Sequence, residues 1–121
     1  MAAAYRFALV YRSRAGYPRR VRSDLTPADL ELPFEDVAVP SAGLELPGWF
    51  IPAPDELVAA NGRQPGVVIV HGWESARHRA LPTAQFLHVA GFHCLLVDVR
   101  GHGANPAEEA PITAGEFGAD A

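Results

Sequence analysis

The chain has 121 residues, 49% of them hydrophobic, and a formal net charge of -4. That length bounds it to one domain at most and is short for an α/β enzyme whose sheet is covered on both faces. A single cysteine, Cys94, excludes an internal disulfide and any CxxC metal site.

Lysine is absent, and six of the ten cations (Arg6, Arg12, Arg14, Arg19, Arg20 and Arg22) precede residue 23, where no acid occurs. Residues 1–30 therefore read as a basic N-terminal arm ahead of an acidic body, residues 31–121. Such an arm could meet phosphates or a membrane surface. The reading adopted is a solvated arm, or one whose guanidinium groups pair with the acidic body, with no nucleic-acid partner. No apolar stretch approaches the roughly 20 residues of a membrane helix. Phe7 to Tyr11 is too short and too close to arginine for a secretory segment. A cytoplasmic location is expected.

Tyr5 to Tyr11 fits a helical turn and an edge strand equally well. Thr26-Pro27-Ala28-Asp29-Leu30 predicts a capped helical turn, with Thr26 as cap and Pro27 at the first position. Phe34 to Val39 predicts a strand with Val37 and Val39 on one face. Ser41-Ala42-Gly43 supplies a turn into an antiparallel partner, Leu44 to Ile51, with Leu44, Leu46 and Trp49 inward. Pro47 inside that partner implies a bulge or an edge position. Pro52 to Pro65 reads as a polar, proline-flanked loop.

Gly66 to Val70 is a continuous apolar run, as expected of a strand buried on both faces. Ser75 to Ala90 predicts a helix with Leu81, Ala84, Leu87 and Ala90 on one stripe, Pro82 in its first turn and Gly91 just past its end. His93 to Val97 predicts the next strand. Strand, helix and strand make a parallel βαβ unit, whose crossover should be right-handed. A polar loop follows, and Thr113 to Ala121 predicts the start of another helix, with Thr113 as cap and Glu116 completing a capping box.

Two motifs close these strands. His71-Gly72 follows the first, and Asp98-x-Arg100-Gly101-His102-Gly103 follows the second. In this order, after an antiparallel hairpin, they resemble the N-terminal part of α/β-hydrolases. The nearest likenesses are serine hydrolases of the acyl-peptidase, monoacylglycerol-lipase and dienelactone-hydrolase types. The resemblance covers the chain from about Phe34 onward. It implies an α/β fold in which the strand ending at Val97 lies between the hairpin and the strand ending at Val70. It also implies a Ser-His-Asp triad in the order nucleophile, acid, histidine, with the nucleophile in a G-x-S-x-G elbow beyond the helix that begins near Thr113.

No G-x-S-x-G occurs in the chain, so the domain is expected to be incomplete and these 121 residues alone inactive. Gly72-Trp73-Glu74-Ser75 is a decoy, because Ser75 has no strained elbow. The family's small hydroxyl residue soon after the second motif is replaced by Ala104-Asn105-Pro106.

The resemblance makes the backbone N–H of Trp73 one of two donors to a tetrahedral oxyanion, an interaction worth about 3–4 kcal/mol in the transition state. His71, Gly72, Trp73 and Glu74 would form the oxyanion loop and one pocket wall. The His71 ring would bond loop backbone rather than move protons. Gly72 would let the chain turn sharply. Asp98 and Arg100 would tie down neighbouring loops, with Gly101, His102 and Gly103 turning over the site.

Gly101-x-Gly103-x-x-Pro106 fails as a dinucleotide fingerprint, since Pro106 replaces the last glycine and no helix is expected at Gly103. His78, His88 and His93 lack metal-ligand spacing. No cofactor and no metal are expected. The expected substrate is a small acyl ester or amide, acted on by the completed protein through an acyl-enzyme. The alternative is an inactive product that at most binds a partner, or itself, through an exposed strand edge.

Overall fold

The computed structural model describes residues 16–106, 112 and 114–121. The readings of Tyr5 to Tyr11 and of Thr113 as a cap fall outside them. Four strands form one mixed sheet in the order β1-β2-β4-β3. They are β1 (Glu35–Ser41), β2 (Leu44–Ile51), β3 (Gly66–Val70) and β4 (His93–Val97). Among the described residues three α-helices accompany them: α1 (Asp55–Asn61), α2 (Leu81–Val89) and α3 (Ala114–Asp120). β1 and β2 are an antiparallel hairpin, β2 runs antiparallel to β4, and β3 runs parallel to β4. The architecture is α/β, with the strand order expected from the sequence.

The hairpin turns at Ala42 (φ 42°) and Gly43 (φ 84°), the two left-handed positions that a two-residue turn of matching twist requires. β1 starts one residue later than expected and continues through Pro40 to Ser41, because an edge strand tolerates a missing N–H.

The expectation for Pro47 is corrected. The register from Glu35↔Phe50 to Ser41↔Leu44 is unbroken, and β2 is an interior strand. Pro47 sits just outside the β4 ladder, where its carbonyl accepts the Asp98 N–H at 2.9 Å and no N–H is needed. An unbroken register also places Leu46 and Trp49 on opposite faces, so they do not point inward together.

The core lies on the Trp49 face. Trp49, Ile51, Cys94 and Leu96 pack there against Ala80, Leu81 and Ala84, with Ile69 and Leu87 partly buried beside them. Leu46 is buried on the other face. That second face is less covered farther along the sheet: Val68 is 59% exposed, and Phe50, Leu95 and Val70 are half-buried. Full burial of β3 on both faces is therefore not found. β3 is the edge strand among the described residues and pairs only with β4.

Two helix expectations change. Pro52 to Pro65 contains α1, which the polar composition hid. α1 buries no residue and so carries no apolar stripe. Its support is local: Asp55 and Glu56 lie in the first turn, and Gly62 at φ 75° ends it. The helix expected from Ser75 begins later, at Leu81, after a 3₁₀ turn at Arg77–Ala80. Pro82 lies in the first turn of α2, where its missing N–H costs nothing. Ala76 stays extended, and the Arg77 N–H is taken by Asp98 at 2.8 Å. A tertiary bond thus sets where helical structure begins. Ala90 is outside α2 and exposed. Gly91 (φ 97°) ends the helix, with Phe92 N–H donating to Leu87 O at 3.0 Å.

The arm does not hang free from residue 16 onward. The expected turn is a 3₁₀ turn at Pro27–Leu30, held by Asp29, whose carboxylate accepts the Thr26 N–H at 2.8 Å. Leu30 packs on the core and Leu32 belongs to it.

Candidate active site

β3 and β4 run parallel, so both deliver their carboxyl ends to the same side of the sheet. There the chain makes two loops, His71 to Ala76 and Asp98 to Pro106. In open α/β sheets this edge is where ligands bind.

Each loop is bound by a histidine of the other. His71 is buried, and its Nε2 accepts the Val99 N–H at 3.0 Å. Its Nδ1 lies 2.8 Å from Gly72 O. A carbonyl only accepts, so the ring proton sits on Nδ1. His102 mirrors this. Nδ1 donates to Arg100 O at 2.8 Å, and Nε2 accepts the Glu74 N–H at 2.8 Å. The two rings are 5.1 Å apart between centroids, and the Trp73 ring meets His102 edge-on at 4.9 Å. Burial pushes the His102 pKa below the ordinary imidazole range, aided by His71 and Arg20 nearby and opposed by the Arg100 carbonyl and Asp98.

The sharp turn after β3 uses Glu74, not Gly72. Glu74 has φ 59°, the left-handed region that a side chain makes costly, whereas Gly72 does not have a positive φ. Trp73, between them, is half-buried.

Asp98 organises the other loop. It is 2% exposed. Its carboxylate accepts the N–H of Arg77 at 2.8 Å and of Ala104 at 3.1 Å, and meets the Arg77 Nε at 3.3 Å. Both carboxylate oxygens are thus engaged in holding the loops together. Gly101 (φ 71°) and Gly103 (φ 53°) bend the loop. Arg100 grips Asp120 of α3 with Nε at 2.9 Å and Nη2 at 3.0 Å. This bond fastens the far helix to the loop.

Sequence reasoning missed two contributors, Arg77 and Arg20. Arg77 lies with its guanidinium 4.1 Å over the Trp49 ring while pairing with Asp98. Its position after His71-Gly72 carried no signal. Arg20 of the arm donates to the carbonyls of Gly103, Asn105 and Pro106, closing the β4 loop from outside. The Asn105 Nδ2 donates to Asp98 O and Val99 O at 2.8 Å and to His102 O at 3.1 Å. Asn105 thus serves as the loop's internal tie.

Among the described residues no helix is long and apolar enough to cross a membrane. No cluster of three His, Cys, Asp or Glu side chains has the makings of a metal site among them.

The solved structures similar to this chain include an esterase from Pyrococcus furiosus in three crystal forms. In space group P212121 the TM-score is 0.67 at 28% identity, with 85% of this chain and 37% of that chain covered. In space group P21 the TM-score is 0.62 at 30% identity, covering 81% and 35%. In space group C2221 it is 0.63 at 27% identity, covering 88% and 38%. This chain has an esterase-like fold. It spans little more than a third of the length of that esterase. No family model and no curated protein matches it.

Proposed function

We propose that residues 31–121 are the N-terminal part of an α/β-hydrolase domain that, when complete, cleaves a carboxylic ester or amide through a serine acyl-enzyme. The observation that carries this reading is the loop His71 to Glu74. It stands at the carboxyl end of β3, held by His102 and backed by a β4 loop that Asp98 pins, in a chain with an esterase-like fold.

In the complete domain a serine oxygen adds to the substrate carbonyl carbon while a histidine takes its proton. The carbonyl oxygen becomes an oxyanion, and the Trp73 N–H donates one of the two bonds that stabilise it. Collapse of the adduct expels the alcohol or amine, which takes the proton back, and water then hydrolyses the acyl-enzyme. Neither His71 nor His102 suits the base, because both ring nitrogens of each are engaged with backbone. The nucleophile, the acid and the base belong to the part of the domain these residues do not supply. The half-exposed apolar face of Val68, Leu95 and Phe50 fits that reading, since further chain would cover it.

A second reading is favoured by the outer edge of β3, which has no strand beside it among the described residues: an inactive product that binds a partner through that edge. The deciding experiment is ester turnover in a completed domain carrying changes at Trp73. Turnover that depends on the Trp73 N–H supports the hydrolase. A folded, completed domain without turnover favours the second reading.

A further inference from the structure

We infer that His102 is the positioning residue of the oxyanion loop: as a neutral ring it holds Glu74, and with it the adjoining Trp73 N–H, and a proton on the ring releases both. The catalytic meaning of this rests on the hydrolase reading; the clasp itself does not.

The geometry allows one tautomer only. Arg100 O accepts the proton on Nδ1 at 2.8 Å, which leaves the Nε2 lone pair for the Glu74 N–H at 2.8 Å. An imidazolium carries a proton on each nitrogen and would set one N–H against another. Glu74 is the residue in which such a loss matters most. Its φ of 59° is a conformation that persists only where neighbours hold it. The holding is two-sided: His102 takes its N–H, and its carboxylate accepts the Arg19 N–H at 3.2 Å. Removing the first bond lets Glu74 return to a relaxed backbone and turns the peptide that carries the neighbouring donor.

Among the described residues, groups from three segments face His102. His71, Trp73 and Glu74 face it from the β3 loop, Arg20 from the arm, and Asp98 and the Arg100 carbonyl from its own loop. Burial opposes a proton most, His71 and Arg20 add to that, and Asp98 with the Arg100 carbonyl favours one; the net pKa is lowered. A ring freed by loop opening regains an ordinary pKa of about 6.5. The closed loop is therefore fully favoured above that pH and loses ground as pH falls below it, because the open form binds the proton more readily.

The test is hydrogen exchange of the peptide spanning residues 72–77 in the 121-residue chain, read by mass spectrometry and corrected for intrinsic rates. Between about pH 8 and about pH 5, protection should hold down to about 6.5 and then fall by up to about tenfold per pH unit. His102→Gln keeps an acceptor where Nε2 lies and does not titrate, so its protection should stay level. His102→Phe has no acceptor and should lose protection at every pH. Ring ¹⁵N shifts of the wild type should show the proton on Nδ1. Unchanged protection in His102→Phe, a falling curve in His102→Gln, or a proton on Nε2 would overturn the inference. Where the variants fail to fold, the wild-type titration decides: a proton entering His102 with no change at the Glu74 amide overturns it, and a coincident change supports it. Absent turnover in a completed domain would sink the hydrolase reading and leave these exchange results standing.

Discussion

The α-carbon of Gly103 lies against the carboxylate of Asp98, so close that an added β-carbon would overlap Cγ, Oδ1 and Oδ2 together. Gly103 also has φ 53°. Both facts point the same way. The carboxylate cannot retreat without giving up the Arg77 and Ala104 N–H groups it binds.

Gly103→Ala is accordingly expected to cost at least about 2 kcal/mol, the sum of left-handed backbone and overpacking. Gly72 is the control. Nothing lies within 4 Å of a β-carbon built there, and its φ is not positive. Gly72→Ala should change stability by no more than about 0.5 kcal/mol. Urea denaturation of the two variants checks this, and equal midpoints would contradict it.

The Arg100–Asp120 pair sets a second expectation, in acid. Burial would raise the Asp120 pKa, but hydrogen bonds from Arg100 and Ser41 outweigh it and hold the carboxyl below its usual range. Its contribution is therefore complete above the ordinary value of about 3.9 and is lost as pH falls through the lower folded value. Asp120→Asn should cost about 2 kcal/mol at neutral pH, because Arg100 Nε and Nη2 lose their charged acceptor and Glu116 stands farther off, at 3.8 Å. It should also flatten the loss of stability below about pH 4. Denaturant midpoints measured across that range test both parts.

Much of the fold could be read from residue order. The two runs ending in His71-Gly72 and Asp98-x-Arg100-Gly101-His102-Gly103 predict parallel strands, and the hairpin turn at Ala42-Gly43 predicts their antiparallel neighbour. What could not be read depended on contacts distant in sequence. α1 has no buried face, so no pattern marked it. The onset of helical structure after β3 follows a bond from Arg77 to Asp98, 21 residues away. Pro47 suggested a bulge because its carbonyl partner, the Asp98 N–H, lies on another strand's end. At the site, the motif pointed to His71, Gly72, Trp73 and Glu74. It did not point to the left-handed backbone of Glu74, or to Arg20, whose bonds reach 83 to 86 residues along the chain.

The outer edge of β3 has no strand beside it among the described residues, and Val68 is 59% exposed on its uncovered face. An apolar, unpaired edge is a template for pairing. The 121-residue chain should self-associate in sedimentation experiments, and Val68→Lys should weaken that association. A monodisperse wild-type monomer with cooperative thermal unfolding would contradict the expectation.

The 121-residue chain should not hydrolyse a p-nitrophenyl ester above a matched protein control. Loss of a nucleophile alone costs on the order of a millionfold. Ser75 lies within the loop after β3, and its N–H closes a turn onto Gly72 O at 3.2 Å. The histidines beside it have no nitrogen to spare for its hydroxyl. Turnover abolished by Ser75→Ala would show that these loops rearrange into a site of their own.

Kinetics at Trp73 test most directly the proposed role of its N–H as an oxyanion donor. A chimera in which residues 16–121 replace the matching segment of the Pyrococcus furiosus esterase supplies the missing groups. With thermal melting to establish that each variant is folded, Trp73→Ala should keep most turnover, since the backbone donor remains. Trp73→Pro should lose roughly a hundredfold or more in kcat, since the donor is gone. Equal kcat in the two folded variants would contradict the account.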